Sequence, residues 1–189
     1  MSAVVIGIGN EFRRDDGVGP AVVALLRGRD LPGVRLVDCD GETGRLLELW
    51  CDADLVILVD AVRTRQPRPG RIHRRSMHHA AVAGRPASSH GSDLGAAVEL
   101  ARALGRLPRL LLLYAVEAAD TSFGVGLSPA VAAAADRLAA EVTATLRQAS
   151  GRPAPVRSIV AGALRPGASP GPGPGPDLGP GTAAEPEPR

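Results

Sequence analysis

The sequence predicts a three-layer α/β/α domain with a mainly parallel, twisted sheet over residues 1–150. Apolar runs alternate along the chain with segments of helical periodicity, which is the pattern of repeated βαβ units. One run, residues 54–60 (DLVILVD), is apolar almost without interruption, as expected for a central strand covered on both faces. The chain has 189 residues, 44% of them hydrophobic and 22% charged, which suits one globular domain with a tail.

The individual elements follow from these patterns. Strands are predicted over residues 3–8, 34–37, 54–60 and 109–116, with a short edge strand around 70–74. Helices are predicted over residues 17–27, 42–51, 93–104 and 129–147. Ser128 precedes Pro129 as an N-cap followed by proline at the first helical position. The alternating order of strands and helices indicates parallel strands joined by crossover helices.

Residues 151–189 differ in composition from the rest of the chain. They contain 10 of the 17 prolines and 8 of the 23 glycines. Such a segment cannot bury an apolar core, so a disordered tail is predicted there. The domain itself, residues 1–150, has the commonest size for a single domain.

Composition also excludes several classes of protein. No apolar run reaches the ~18 residues of a membrane span, and the first strand lacks the basic region of a signal peptide, so a cytoplasmic protein is expected. Two cysteines are too few for a disulfide framework. All 22 basic residues are arginine, which excludes a Walker or Schiff-base lysine. Few aromatic residues and a net charge of +2 argue against nucleic-acid binding.

Three polar segments are expected at the carboxyl edge of the sheet, where ligands of such folds bind. They are residues 7–20, Asp60 at the end of the third strand, and residues 88–94, which include His90. Two carboxylates and one imidazole on separate loops would form an incomplete ligand set for a divalent ion. Simpler interpretations stay open: an aspartate of the first segment, Asp15 above all, caps the following helix, Asp60 accepts loop amides, and His90 faces solvent.

The glycines of the first segment do not match a dinucleotide-binding turn. Such a turn has the spacing G-x-G-x-x-G, whereas Gly7 and Gly9 are followed by Asn10, Glu11 and Phe12. Two aspartates then stand where a pyrophosphate needs bare backbone amides.

Five motifs together resemble those of the hydrogenase maturation endopeptidases. They are GIGNEFRRDDGVGP, DGETG at residues 40–44, VDA at 59–61, SSHG at 88–91 and GLSPAV at 126–131. The resemblance covers about residues 1–147 and implies an α/β/α fold. It also implies removal of the C-terminal extension from the large-subunit precursor of a [NiFe] hydrogenase, with neither nucleic acid nor a membrane as partner. Asp16, Asp60 and His90 would bind nickel and act through it, and Gly41 would take part in substrate recognition.

The ligand types suggest how such a site works. Carboxylate and imidazole ligands without thiolate hold nickel weakly, so the metal would be supplied by the bound precursor and would report that its insertion is complete. Two other classes of protein share part of this pattern. A phosphoacceptor receiver domain shares the acidic residues but needs a lysine, which this chain lacks. A non-catalytic chaperone that checks the nickel site without cleaving is not separated from a peptidase by sequence.

An arginine-rich segment, residues 63–75, follows the third strand with six arginines in thirteen residues. It has two interpretations. It is a solvated loop in an arginine-biased sequence, or it docks the precursor beside the site, because arginine clusters attract acidic partners.

Overall fold

The computed structural model describes residues 1–77 and 91–151, which form one sheet flanked by helices. The strands are β1 (Ala3–Ile8), β2 (Val34–Cys39), β3 (Leu55–Val62), β4 (Ile72–Ser76) and β5 (Leu110–Glu117). The helices are α1 (Val18–Arg27), α2 (Thr43–Trp50), α3 (Gly91–Ala103) and α4 (Pro129–Ser150), and a short 3-10 helix (Arg14–Gly17) precedes α1.

The sheet has the strand order β2-β1-β3-β5-β4. Four strands are parallel, and β4 pairs antiparallel with β5 at the edge. All eight residues of β3 are buried, which matches its position in the middle and its apolar sequence. The predicted mainly parallel sheet and its short edge strand are therefore confirmed.

Helices cover both faces of the sheet. Val4 and Ile6 of β1 pack with Leu46 of α2 and Val98 of α3 on one face. The alternate strand residues, Val5 among them, pack with α1 and α4 on the other face. These two cores confirm the predicted three-layer arrangement.

Every predicted strand and helix is present, and the differences lie at their ends. The helix predicted from residue 17 is preceded by the 3-10 helix, in which the Asp16 N–H donates to the Arg13 carbonyl at 3.0 Å. Strand β3 continues two residues beyond Asp60, so Asp60 lies within the strand and is paired in register with Ala115. Helix ends and strand ends depend on such tertiary pairings, which local periodicity does not encode.

All described residues belong to one structural unit. No helix in the described part of the chain is both long and apolar enough to cross a membrane. Residues 152–189, for which the sequence predicts a disordered tail, lie outside the described residues.

Candidate functional site

The site lies where the connections of the sheet change direction. From β1 the chain passes to β2 on one side, and from β3 it continues to β4 and then β5 on the other side. The carboxyl ends of the adjacent strands β1 and β3 therefore border the crevice in which ligands of open α/β sheets bind. Asp16 follows β1 and Asp60 lies near the end of β3, so both aspartates belong to this crevice.

Two glycines allow the start of α1 to rest on these strand ends. A Cβ atom on Gly19 would lie 2.3 Å from the Ile8 carbonyl oxygen and 2.7 Å from that of Val59. Gly9 has a φ of +137°, and a Cβ there would lie 1.9 Å from the Asp16 carbonyl oxygen. Only glycine fits at these positions, and this close approach brings the 3-10 helix against β3.

The carboxylates of Asp16 and Asp60 are both buried, each residue being 3% exposed. The Asn10 backbone N–H donates to Oδ2 of Asp16 at 3.0 Å. The 3-10 helix that carries Asp16 contacts β3, which carries Asp60, and the binding of a metal by these residues stays a prediction. His90, the third predicted ligand, lies outside the described residues, and within the described ranges no three His, Cys, Asp or Glu side chains group as a metal site.

Asp15 has a different role from the helix cap predicted for it. Its fully buried carboxylate accepts hydrogen bonds from the backbone N–H groups of Ala119 (2.8 Å), Asp120 (3.0 Å) and Ser128 (2.6 Å), and from the Ser128 hydroxyl (2.9 Å). It makes no cap to the 3-10 helix or to α1. Asp15 instead binds the β5–α4 loop, residues 118–128, because the folded chain places four donors around it.

This contact also changes the expected role of Ser128. The residue is the N-cap of α4 by position, with Pro129 following it, as predicted. Its hydroxyl makes no capping bond, because it donates to Asp15.

Gly41 lies at the same sheet edge, in the turn between β2 and α2. It is buried with a φ of +88°, and its N–H donates to the Cys39 sulfur at 3.3 Å. The neighbouring Glu42 caps α2 by accepting from the N–H groups of Gly44 and Arg45. The position of Gly41 beside the end of β1 is compatible with its predicted role in substrate recognition, which stays a prediction.

Sequence reasoning missed one buried carboxylate at this edge, Glu117, the last residue of β5. Its side chain accepts hydrogen bonds from the Arg68 N–H at 2.5 Å, the Thr64 hydroxyl at 3.2 Å and His73 Nε2 at 2.7 Å. Burial alone would raise the pKa of Glu117, but these bonds outweigh it and lower the pKa. The signal in the sequence that points to Glu117 is an acidic residue at the end of an apolar run, the same signal that points to Asp60.

Glu117 holds the arginine-rich segment in place, since all three of its donors belong to that segment. We expect Glu117→Gln to destabilise the fold by about 1–3 kcal/mol at neutral pH, because an amide loses the charge and one acceptor oxygen. The loss is expected to shrink on acidification. A carboxylate with a lowered folded pKa stabilises the fold above its unfolded pKa of about 4.3 and loses that contribution as the pH falls through the folded value.

Urea unfolding of both proteins at pH 7 and at pH 3 measures this difference. An equal difference at the two pH values would contradict an ionised Glu117 as the acceptor. Glu48→Gln is the control, because Glu48 is exposed and makes only an ion pair with Arg45 on the same helix.

The arginines of the arginine-rich segment are all exposed. This holds for Arg63, Arg65, Arg68, Arg71, Arg74 and Arg75. Arg74 lies over the Tyr114 ring, 5.8 Å from its centroid. The segment therefore presents a basic surface next to the end of β3, as both interpretations of the sequence require.

The fold and the paired buried carboxylates define a class: an open α/β protein with an acidic crevice at the switch point of its sheet. Residues 20–145 match the family described as hydrogenase maturation protease, HycI. The chain belongs to the hydrogenase maturation protease family, and it is a hydrolase of peptide bonds by that membership.

Related proteins agree with this assignment. The hydrogenase 2 maturation protease of Escherichia coli K12 is 27% identical over 151 residues, which cover 78% of this chain and 92% of that protein. The solved hydrogenase-maturating endopeptidase HybD from E. coli superposes with a TM-score of 0.69 at 28% identity, covering 79% of this chain and 94% of that one. A HybD maturation protease from Thermococcus kodakarensis, 21% identical with a TM-score of 0.62, covers 77% of this chain and 99% of its own and supports the fold alone.

Proposed function

We propose that this protein removes the C-terminal extension from the large-subunit precursor of a [NiFe] hydrogenase after nickel has been inserted. The observation that carries the proposal is the pair of buried carboxylates, Asp16 and Asp60, at the switch point of a hydrogenase maturation protease. Two buried carboxylates at one sheet edge create a negative potential that favours a cation. A metal-bearing substrate supplies such a cation.

The donor chemistry of the site fits nickel held by the precursor. Carboxylate oxygens alone bind nickel less tightly than thiolates do, so these residues would dock onto the metal without extracting it. Asp60 follows Leu58 by two residues in β3, so both side chains lie on the same face of the sheet. On that face Leu58 packs with Leu94 of α3. Helix α3 begins at Gly91, directly after His90 in the sequence, which supports His90 as the third ligand. Nickel is then part of the substrate.

Within this proposal, the residues of the chain position the scissile peptide. Asp16 and Asp60 would orient the nickel-bearing end of the precursor in the crevice, and a carboxylate oxygen is a suitable acceptor for the proton of attacking water. Bound nickel supplies Lewis acidity. Gly41, at the same edge, would contact the precursor backbone.

The proposal is tested by incubating the protein with the purified precursor, once loaded with nickel and once metal-free. We expect cleavage only of the nickel-loaded precursor. Cleavage shifts the gel mobility of the precursor, and mass spectrometry detects the released extension. Equal cleavage of both forms would overturn the dependence on nickel. Binding of the nickel-loaded precursor without any cleavage would favour the alternative, a chaperone that checks the nickel site.

The arginine-rich segment carries a separate prediction. We expect the triple replacement of Arg63, Arg65 and Arg68 by glutamine to slow capture of the precursor several-fold at low salt. The physical reason is the loss of long-range attraction, so the difference from the wild type should fade above about 0.3 M salt, where screening is strong. Stopped-flow or biosensor association rates across a salt series measure this effect.

The matched control removes three positive charges from another part of the surface. Arg102, Arg106 and Arg109 are exposed and precede the start of β5, at the opposite edge of the sheet. Their triple glutamine variant should capture the precursor at nearly the wild-type rate. Equal slowing in both variants would assign the effect to net charge and leave the arginine-rich segment as a solvated loop.

A further inference from the structure

Both phenylalanines of the chain are exposed to solvent. Phe12 is 61% exposed and Phe123 is 84% exposed, and Val125, close to Phe123, is 77% exposed. The other large aromatic residues, Trp50 and Tyr114, are fully buried. Exposed apolar side chains grouped on one surface are typical of binding sites. We call Phe12, Phe123 and Val125 the apolar platform.

The apolar platform is built from two loops that are paired to each other. The Gly124 N–H donates to the Phe12 carbonyl at 2.9 Å, and the Arg14 N–H donates to the Gly124 carbonyl at 2.9 Å. The Arg13 guanidinium lies over the Phe123 ring, 5.6 Å from its centroid. These contacts bring residues far apart in the sequence together on one surface.

The platform is also held rigidly. Asp15, which lies between Phe12 and α1 in the sequence, accepts four hydrogen bonds from the β5–α4 loop that carries Phe123 and Val125. The Phe12 N–H donates to the Asn10 side chain at 2.9 Å. Loops ordered before binding lose less conformational entropy when a partner docks. The phenylalanines are thus presented to solvent by a fixed scaffold.

The occupant follows from the position of the platform. Phe12 lies in the loop between β1 and Asp16, and Asn10 of that loop donates to the Asp16 carboxylate. The platform is therefore continuous with the acidic crevice, and the substrate of a protease in this family is itself a protein. A protein that places a peptide at Asp16 must cover the adjoining loops as well.

We propose that the apolar platform docks apolar side chains of the protein substrate next to the segment that is cleaved. The inference rests on the proposed function for the identity of that substrate, the hydrogenase large-subunit precursor. Aromatic residues at the centre of an interface supply much of its binding energy. Arg13 and Arg14 border the platform, so an acidic side chain of the precursor beside its apolar ones is compatible with this surface.

The test compares the double variant Phe12→Ser/Phe123→Ser with the wild type in the full chain. We expect equilibrium capture of the nickel-loaded precursor to weaken at least 10-fold, with KM raised and kcat nearly unchanged. The melting temperature should not fall, because both side chains are exposed. The control is Leu100→Ser/Leu104→Ser: these residues are 43% and 54% exposed and lie at the carboxyl end of α3. Capture by this control should equal that of the wild type.

The outcomes separate this inference from the proposed function. Wild-type cleavage together with unchanged capture by the Phe12/Phe123 variant overturns the platform and leaves the function standing. Platform-dependent capture without cleavage supports the platform and overturns the protease function. A wild-type dimer that the double variant dissociates, with capture unchanged, would assign the surface to a second copy of the chain and overturn the inference.

Discussion

Replacing Asp15 by alanine is expected to lower the free energy of unfolding by about 3–5 kcal/mol. The carboxylate is fully buried and accepts from three backbone N–H groups and the Ser128 hydroxyl. The variant would remove the acceptor of all four donors, whose hydrogen bonds to Asp15 are partly buried, and each donor that water cannot reach carries a desolvation cost. For a domain of this size the loss corresponds to a fall in melting temperature of about 10 °C.

Thermal and urea unfolding of Asp15→Ala measure this loss directly. The stability of Asp15→Asn should lie between those of Asp15→Ala and the wild type, because the amide keeps one acceptor oxygen. The control is Asp120→Ala, since the exposed Asp120 side chain makes a surface ion pair with Arg14 at 3.2 Å and should matter far less. A stability of Asp15→Ala close to that of Asp120→Ala would show that the β5–α4 loop does not depend on Asp15.

The second large effect is expected on activity. Asp60→Asn should reduce processing of the nickel-loaded precursor by about 1000-fold or more while the protein still folds. An amide is a poor nickel ligand and cannot accept a proton, yet it matches the carboxylate in size. The melting temperature should therefore change by only a few degrees. Asp16→Asn should behave in the same way.

Asp54→Asn is the matched control for this prediction. Asp54 stands next to the opposite end of β3, where its carboxylate accepts from the Ser2 N–H at 2.9 Å. This variant should process the precursor at the wild-type rate. Residual processing within tenfold of the wild type in Asp60→Asn would remove Asp60 from the proposed nickel-binding set.

Substitutions of the adjacent residues Asp15 and Asp16 are therefore expected to have different effects. Loss of the Asp15 carboxylate should cost stability, and loss of the Asp16 carboxylate should cost activity. The difference comes from their partners, because Asp15 accepts from the β5–α4 loop whereas Asp16 adjoins the crevice beside β3. Measuring stability and activity of both variants thus distinguishes the proposed structural carboxylate, Asp15, from the proposed functional one, Asp16.

The sequence by itself determined the fold class and the sheet edge at which the candidate residues Asp16 and Asp60 lie. Apolar periodicity encodes strands and helices, and the alternation of the two requires parallel strands, so Asp16 and Asp60 had to meet at the carboxyl edge. The motifs also determined the family, because they combine in order over most of the chain, and residues 20–145 match it.

Only the tertiary structure decided which hydrogen-bond donors each buried carboxylate contacts. The roles of Asp15 and Glu117 depend on donors that lie more than 40 residues away in the sequence, such as Ser128 for Asp15 and His73 for Glu117. The exposure of Phe12 and Phe123 depends on the pairing of two loops, since an apolar residue in a sequence is expected to be buried. Local patterns encode backbone conformation and apolar faces, whereas hydrogen-bond partners and exposure arise when distant segments pack together.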